Sequence, residues 1–353
     1  MDRYKGRGAL GNPPPRFLRE STEAVDDGWY RQEVPDSIAT EVRPEPARTI
    51  ISRNGSPDIA FEQSINPYRG CEHGCPYCYA RPSHAYMDLS PGIDFETRIF
   101  YKADAARLLE QELGRRGYLA KPITLGANTD PYQPLERRLR VTRSLLEVLE
   151  RTRHPVSIVT KGTLILRDLE LLRSLARDSL VYVSVSITTL DADLKRILEP
   201  RAASPQARLR VVRELSAAGV PTAVLVAPVI PAINDAQIEA IVAAAAEAGA
   251  VSANYVLLRL PHEFKRIFRQ WLDQHLPERA EHVMSLVRGA RGGRENDPQF
   301  GSRMVGTGAW AQLLHDRFAL ALKRHGLQGR HAHALSNAHF RPPGPGGQMS
   351  LSL

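Results

Sequence analysis

Cysteine is confined to one place in this sequence. The stretch Cys71-Glu72-His73-Gly74-Cys75-Pro76-Tyr77-Cys78 holds every cysteine of the 353-residue chain. At C-x3-C-x2-C spacing, three thiolates can converge from one short loop onto one metal centre. Gly74 permits a tight turn and Pro76 stiffens it. Thiolates are soft ligands that select zinc, copper or iron–sulfur. Three readings follow from the residues alone. The first is a structural zinc completed by a histidine, with His73 and His84 nearby. Such sites are closed and commonly draw two ligand pairs from separated segments, and no second pair is apparent. The second is an iron–sulfur cluster. Ferredoxin-type sites need four cysteines, so three would leave one iron open to an exogenous ligand, as catalytic metal sites are. The third is three thiols without a metal.

The elements that must position this loop are an alternation of strands and helices. Short apolar or β-branched runs occur at 61–66, 123–127, 156–160, 181–187, 222–229 and 253–258. Helical periodicity fills most of the gaps. In SPQARLRVVRELSAAG, Ser204 suits the N-cap, Pro205 the first turn and Gly219 the C′ position, with Leu209, Val212 and Leu215 on one face. In NDAQIEAIVAAAAEAG, Ile238, Ile241, Val242 and Ala245 face inward. A third helix starts at Asp191 and buries Leu194, Ile197 and Leu198. Strands alternating with helices predict βαβ units and a parallel sheet. The expected fold is α/β, a partial (β/α)6 TIM-type barrel of parallel strands with a helical C-terminal extension. A flat doubly wound sheet is the alternative. Either puts the working end at the C-terminal edge of the strands. The chemistry-bearing residues fall there: CEHGCPYC after the first strand, Asn128, Thr129 and Asp130 after the second, Thr160 and Lys161 ending the third, Ser184, Ser186 and Thr188 on the fourth, Pro228 and Pro231 after the fifth.

CEHGCPYC resembles the CxxxCxxC motif of the radical S-adenosylmethionine (SAM) superfamily. The surrounding NPYRGCEHGCPYCYARPSH resembles its branch related to spore photoproduct lyase, often labelled DNA repair photolyase-like. The resemblance spans roughly residues 65–260. It implies a 4Fe–4S cluster ligated by Cys71, Cys75 and Cys78, with S-adenosyl-L-methionine chelating the fourth iron. Reductive cleavage of that cofactor gives a 5′-deoxyadenosyl radical that abstracts a substrate hydrogen. By the same resemblance Tyr77 packs near the adenine. Gly126-Ala127-Asn128-Thr129-Asp130 stands where the family has Gly-Gly-Glu and departs from it, leaving Asn128, Thr129 or Asp130 as acceptors for the methionyl amine. Ser184 and Ser186 lie in the region that contacts ribose and carboxylate, on one side of a strand by its period of two. Arg201 is placed to pair with the methionyl carboxylate, and Lys161 to meet cofactor or substrate. An electron donor such as flavodoxin or ferredoxin is implied.

The related lyase brings a non-cluster cysteine that returns hydrogen to the product radical. This chain has none, so thymine-dimer repair of the spore type is not expected, and Tyr79, Tyr86 and Tyr255 become the hydrogen-donor candidates.

Composition bounds the rest. At 42% hydrophobic and 24% charged residues, the chain has material for a large core. The formal charge of +8 permits a nucleic-acid partner without requiring one. The first 17 residues lack an apolar segment, so no signal peptide is expected. No run of about 18 apolar residues exists, so no membrane span is expected. Three clustered cysteines are not a secreted disulfide framework, which places the protein in the cytoplasm. The expected organisation is an extended or partly disordered arm (1–53), the core barrel (54–260), a helical extension (261–328) and a flexible tail (329–353). In the extension, Phe264, Ile267, Phe268 and Trp271 read as a core stripe. Arg288, Arg291 and Arg294 read as a basic glycine-rich loop, and His262 and Glu263 as candidates to face substrate. A zinc-stabilised nucleic-acid-binding module and a scaffold with incidental thiols are the competing functional readings.

Overall fold

The computed structural model describes residues 4–18, 37–329 and 334–344. The remainder of the arm (1–3 and 19–36) and of the tail (330–333 and 345–353) lies outside the described residues.

The strands are β1 Glu41–Pro44, β2 Ser52–Arg53, β3 Gln63–Ile65, β4 Tyr68–Arg69 and β5 Arg98–Tyr101. They continue with β6 Ile123–Leu125, β7 Val156–Thr160, β8 Val181–Ser186, β9 Thr222–Val229 and β10 Ser252–Leu257. The main sheet runs β10-β9-β8-β7-β6-β3-β2. Within it β3 and β6 to β10 are mutually parallel, and β2 joins β3 antiparallel. A small second sheet, β1-β5-β4, carries the chain into the cysteine loop.

The helices are α1 Asp94–Thr97, α2 Ala105–Leu113, α3 Glu136–Leu139, α4 Val141–Arg151, α5 Leu169–Ala176 and α6 Ala192–Leu198. They are followed by α7 Pro205–Ala217, α8 Ile238–Glu247, α9 Phe264–His275, α10 Ala280–Gly289 and α11 Gly308–Arg324. Local chemistry starts them where the sequence says. The Ser204 hydroxyl accepts from the Ala207 N–H at 3.2 Å, and the Asp191 carboxylate caps α6 through Asp193 and Leu194.

The period of two sorts the sheet's faces. In β8, Val181, Val183 and Val185 are buried against the helices. Tyr182, Ser184 and Ser186 face the other way. Register extends that second face across the neighbours: Ser157 lies opposite Tyr182 and Thr124 opposite Ser157, with the Thr124 and Ser157 hydroxyls 2.7 Å apart. Helices α2, α4, α5, α7, α8 and α11 contribute to one apolar core. A second core joins α9 and α10 to the cysteine loop: Phe264, Ile267, Phe268 and Trp271 pack with Cys75, Tyr77, Ile230 and Leu258. Each such buried side chain contributes about 1.5–3 kcal/mol. The aromatic stripe is therefore core.

Two buried histidines make the fold acid-sensitive. His154 sets its ring nitrogens against the Pro155 carbonyl and the Tyr118 hydroxyl, each at 2.9 Å. His84 sets Nε2 against the Arg98 carbonyl at 3.0 Å, and its Nδ1 is buried without a partner. Burial pushes both imidazoles down, from 6.5 to about 4. The unfolded chain therefore takes up these protons at higher pH than the folded chain. Their contribution to stability is complete above pH 6.5 and is lost as pH falls from about 6.5 to about 4. The urea midpoint should drop between pH 7 and pH 5, with about 2 kcal/mol per group involved, and His154→Asn should flatten the slope. A midpoint that does not move, or an unchanged slope in the variant, would contradict this account.

Candidate functional site

The cysteine loop is fastened from several directions. The Cys71 N–H donates to the Phe95 carbonyl at 2.9 Å. The Gln133 side chain bridges the loop, donating to the Gly70 carbonyl at 3.2 Å and accepting from the Glu72 N–H at 2.9 Å. Arg81, fully buried, donates from Nε to the Cys75 carbonyl at 2.9 Å and pairs with Glu96. The Glu96 carboxylate also accepts from the Gly8 and Ala9 N–H groups at 3.0 and 2.9 Å. Arg7 reaches the Glu96 and Ile38 carbonyls at 2.8 and 2.7 Å. Residues 7–10 are thus a strap across the loop, and they are buried. A Cβ on Gly8 would sit 1.7 Å from the Gly74 carbonyl oxygen. Gly74 adopts φ +69°, and a Cβ there would meet Glu96 at 2.8 Å. Both positions require glycine.

Cys71 and Cys75 are buried and Cys78 is half-buried; none is in a disulfide. Burial pushes all three thiols up, Cys75 to about 12. Among the described residues, no three His, Cys, Asp or Glu side chains converge as they would on a single metal ion. His73 turns Nδ1 to the Asp130 carboxylate at 3.4 Å, and His84 faces the Arg98 carbonyl.

The strand-end residues meet the loop in two groups. In the first, the Lys161 ammonium donates to the Ser186 hydroxyl at 3.0 Å and lies 5.8 Å from the Tyr77 ring centre. Ser184 shares that sheet face. In the second, Asp130 is a knot. It accepts from the Thr160 hydroxyl, the Lys161 N–H and the Tyr132 N–H at 2.7, 2.7 and 2.8 Å. Burial alone would raise its carboxyl; His73, Thr160 and Lys161 outweigh that and hold it at about 2. The Thr129 hydroxyl is spent on the Tyr68 carbonyl at 2.8 Å. Asn128 gives its N–H to the Asn66 side chain at 2.8 Å and leaves its own side chain exposed. Arg201 pairs with Glu72 at 3.0 Å, which ties it to the loop itself.

Beneath Tyr77 lies a network that the sequence reading passed over. The Tyr77 hydroxyl donates to Glu199, which pairs with buried Arg208 and accepts from the Thr188 hydroxyl at 2.8 Å. Burial alone would raise the Glu199 carboxyl; Arg208, Lys161 and Tyr77 bring it to about 2. The available signal was LEPR, in which a glutamate stands two residues before Arg201.

The three tyrosines part company. Tyr79 follows Cys78 directly, is half exposed, and its hydroxyl donates to the Ala127 carbonyl at the end of β6. Tyr86 is 70% exposed and packs on Phe17 at 5.1 Å, away from the thiols. Tyr255 sits on the helix face of β10, its ring 4.9 Å from Phe318 of α11. The period of two puts Asn254, not Tyr255, on the face of Ser184 and Ser186. Glu263 holds Arg16 of the arm at 3.1 Å, and His262 is exposed. A surface cavity of about 490 Å³ lined by Glu110, Arg151, Thr152 and Arg341 opens near the N-terminal end of β7, the edge opposite the thiols.

The sequence profile of the Radical SAM superfamily matches residues 65–245. An uncharacterised protein of Mycobacterium tuberculosis is 38% identical over 232 residues, 65% of this chain and 68% of that protein. One of Methanocaldococcus jannaschii is 27% identical over 217 residues, 62% and 77% respectively. Among solved structures, spore photoproduct lyase complexed with dinucleoside spore photoproduct superposes with a TM-score of 0.58 at 16% identity, covering 82% of this chain and 80% of that one. A variant of the lyase with bound AdoMet and the same dinucleoside gives the same score. At that identity the likeness is one of fold. No described helix is long and apolar enough to cross a membrane.

Proposed function

The chain belongs to the radical SAM superfamily and is a radical SAM enzyme, and we propose that Cys71, Cys75 and Cys78 hold a 4Fe–4S cluster as its reaction centre. The carrying observation is that every thiol of the chain lies on one strapped loop at the C-terminal edge of the parallel strands. The donor set fits: three soft ligands and no fourth cysteine, which leaves one iron for S-adenosyl-L-methionine. When bound, cluster and cofactor supply a 5′-deoxyadenosyl radical that abstracts hydrogen from substrate.

The chain's own residues position and shield. Tyr77 offers its ring face to the adenine while Glu199 fixes its hydroxyl. Lys161, Ser186 and Ser184 line the ribose and carboxylate side. Of the three residues after β6, Asn128 has the free side chain to accept from the methionyl amine. Thr129 and Asp130 act by holding the turn, and Arg201 by bracing Glu72. Tyr79, next to the third cysteine, is the hydrogen donor favoured by position. The strap at residues 7–10 and helix α9 close the loop against water. We read the sheet as a partial six-stranded barrel extended by α9 to α11. A reductant such as flavodoxin or ferredoxin is the expected partner, and a reducing cytoplasm the expected setting.

The test is anaerobic reconstitution with iron and sulfide, then dithionite and S-adenosylmethionine. About four irons per chain and formation of 5′-deoxyadenosine are expected. Stoichiometric zinc with no iron uptake would overturn the reading in favour of a metal-stabilised binding module.

A further inference from the structure

Just beyond β10 the chain carries a cation with no ion-pair partner among the described residues. Arg259 is half-buried just beyond Leu257, at the same sheet edge as the thiols. Its Nε is buried without an acceptor, and among the described residues its head group is hydrogen-bonded only to the Met304 sulfur, at 4.0 Å. The ionic groups that bear on it are Arg303, which repels it, and Asp58, with the neutral Tyr79 phenol nearby. Asp58 is already taken: it pairs with Arg303 at 2.5 Å and accepts from the Gly301 N–H at 2.7 Å. Arg291 adds a further guanidinium, spent on the Leu257, Leu258, Ser302 and Arg303 carbonyls, none of which cancels its charge. Its Nε is buried and unpartnered too. Asp297, held by the Ser302 hydroxyl, acts on Arg291, so among the described residues three guanidinium groups share two carboxylates, and Arg259 is the one with neither an ion pair nor a carbonyl acceptor.

A buried donor without an acceptor and an uncompensated charge are both costly, so a fold that keeps them beside its reaction centre implies an anion that arrives from outside. We propose that Arg259 anchors a phosphate group of the substrate, beside Tyr79. The proposal rests on the thiol loop being the reaction centre, and it supplies the class of substrate that loop acts on. The guanidinium groups outnumber the carboxylates by one, which matches the single charge of a phosphodiester. A guanidinium fork also binds phosphoryl oxygens in pairs, which fixes orientation as well as position. The phosphate can come from a polynucleotide backbone or from a free nucleotide.

The experiment uses the full-length, reconstituted protein under anaerobic conditions. Fluorescence anisotropy follows a labelled single-stranded oligonucleotide of mixed sequence over a salt series, with unlabelled nucleoside monophosphate as competitor. Arg259→Gln should weaken binding about tenfold and lower the salt slope by about one. Arg259→Lys keeps the charge without the fork and should fall between. Arg107→Gln, at an exposed side chain of α2 that pairs with Asp104, should bind as the unmodified protein does. Competition by monophosphate at concentrations equal to the oligonucleotide would assign the phosphate to a free nucleotide; its failure would assign it to a backbone. Equal binding by Arg259→Gln, an equal loss in Arg107→Gln, or no binding of either ligand overturns the proposal. Thermal melts establish that each variant is folded, and Arg259→Lys serves if the glutamine variant is not. Deoxyadenosine formation by the unmodified protein is scored separately: its absence sinks the reaction-centre reading, whereas intact binding by Arg259→Gln sinks only this proposal.

Discussion

Replacing any one of Cys71, Cys75 and Cys78 with alanine is expected to strip the iron and reduce 5′-deoxyadenosine to background, a loss of about a thousandfold or more. That corresponds to about 4 kcal/mol or more of barrier. No other thiol exists to take over, because the chain has three cysteines in all. Of the two histidines near the loop in sequence, His73 is engaged with Asp130, and His84 is anchored through Nε2 at the Arg98 carbonyl with only Nδ1 open. The variants should still fold, since the loop is held by Gln133, Arg81 and Glu96 through main-chain contacts that alanine keeps. Iron content, visible absorption and product formation are the readouts. A single alanine variant that retained full iron and product would rule that thiol out as a ligand.

Glu199→Ala is the second large effect, and it acts through stability. The substitution leaves Arg208, 1% exposed, as a buried charge without its partner, and it frees the Tyr77 hydroxyl. Breaking a buried pair from one side costs about 3–5 kcal/mol, which for a chain of this size lowers Tm by about 4–7 °C. Removing both charges, as Glu199→Met with Arg208→Met, should recover much of the loss, because the penalty lies in the orphaned cation. The single variant should also hold iron less well at a temperature where it is still folded, since Tyr77 lies between Cys75 and Cys78. A melt unchanged in Glu199→Ala, or a double variant worse than the single, would remove this network from the account.

Much of this molecule was legible in one dimension. The six parallel strands appear within two residues of the apolar runs, because β-branched runs bounded by turn residues and alternating with capped helices leave few other arrangements. The Ser204 and Asp191 caps, the inward face of α8 and the aromatic stripe of α9 are local chemistry with a fixed period, whereas the expected Leu194, Ile197 and Leu209 are only half-buried and α7 buries Arg208 and Val211 instead. The thiol motif is local as well, and with the stretch around it and the strand-end residues it carried the resemblance to the family.

What the sequence could not decide was long-range pairing of polar groups. Nothing in KGRGALG marks residues 7–10 as a strap; the reason for Gly8 is a carbonyl at Gly74, 66 positions along the chain. Glu199 and Arg201 are neighbours in LEPR, yet one belongs beneath Tyr77 and the other beside Glu72, and only the path of the chain after α6 separates them. Tyr255 and Asn254 differ by one position and so by one face of β10, which depends on a register no single strand contains. Arg259 and Asp58 are ordinary residues in sequence. Whether an arginine is paired or left waiting depends on which carboxylates fold up next to it, and at this sheet edge Arg303 reached Asp58 first. Periodicity determined the elements, and the thiol motif pointed to the superfamily. Tertiary structure decided which charges were cancelled, because Coulomb attraction and desolvation act through space, between residues that the chain brings together only when it folds.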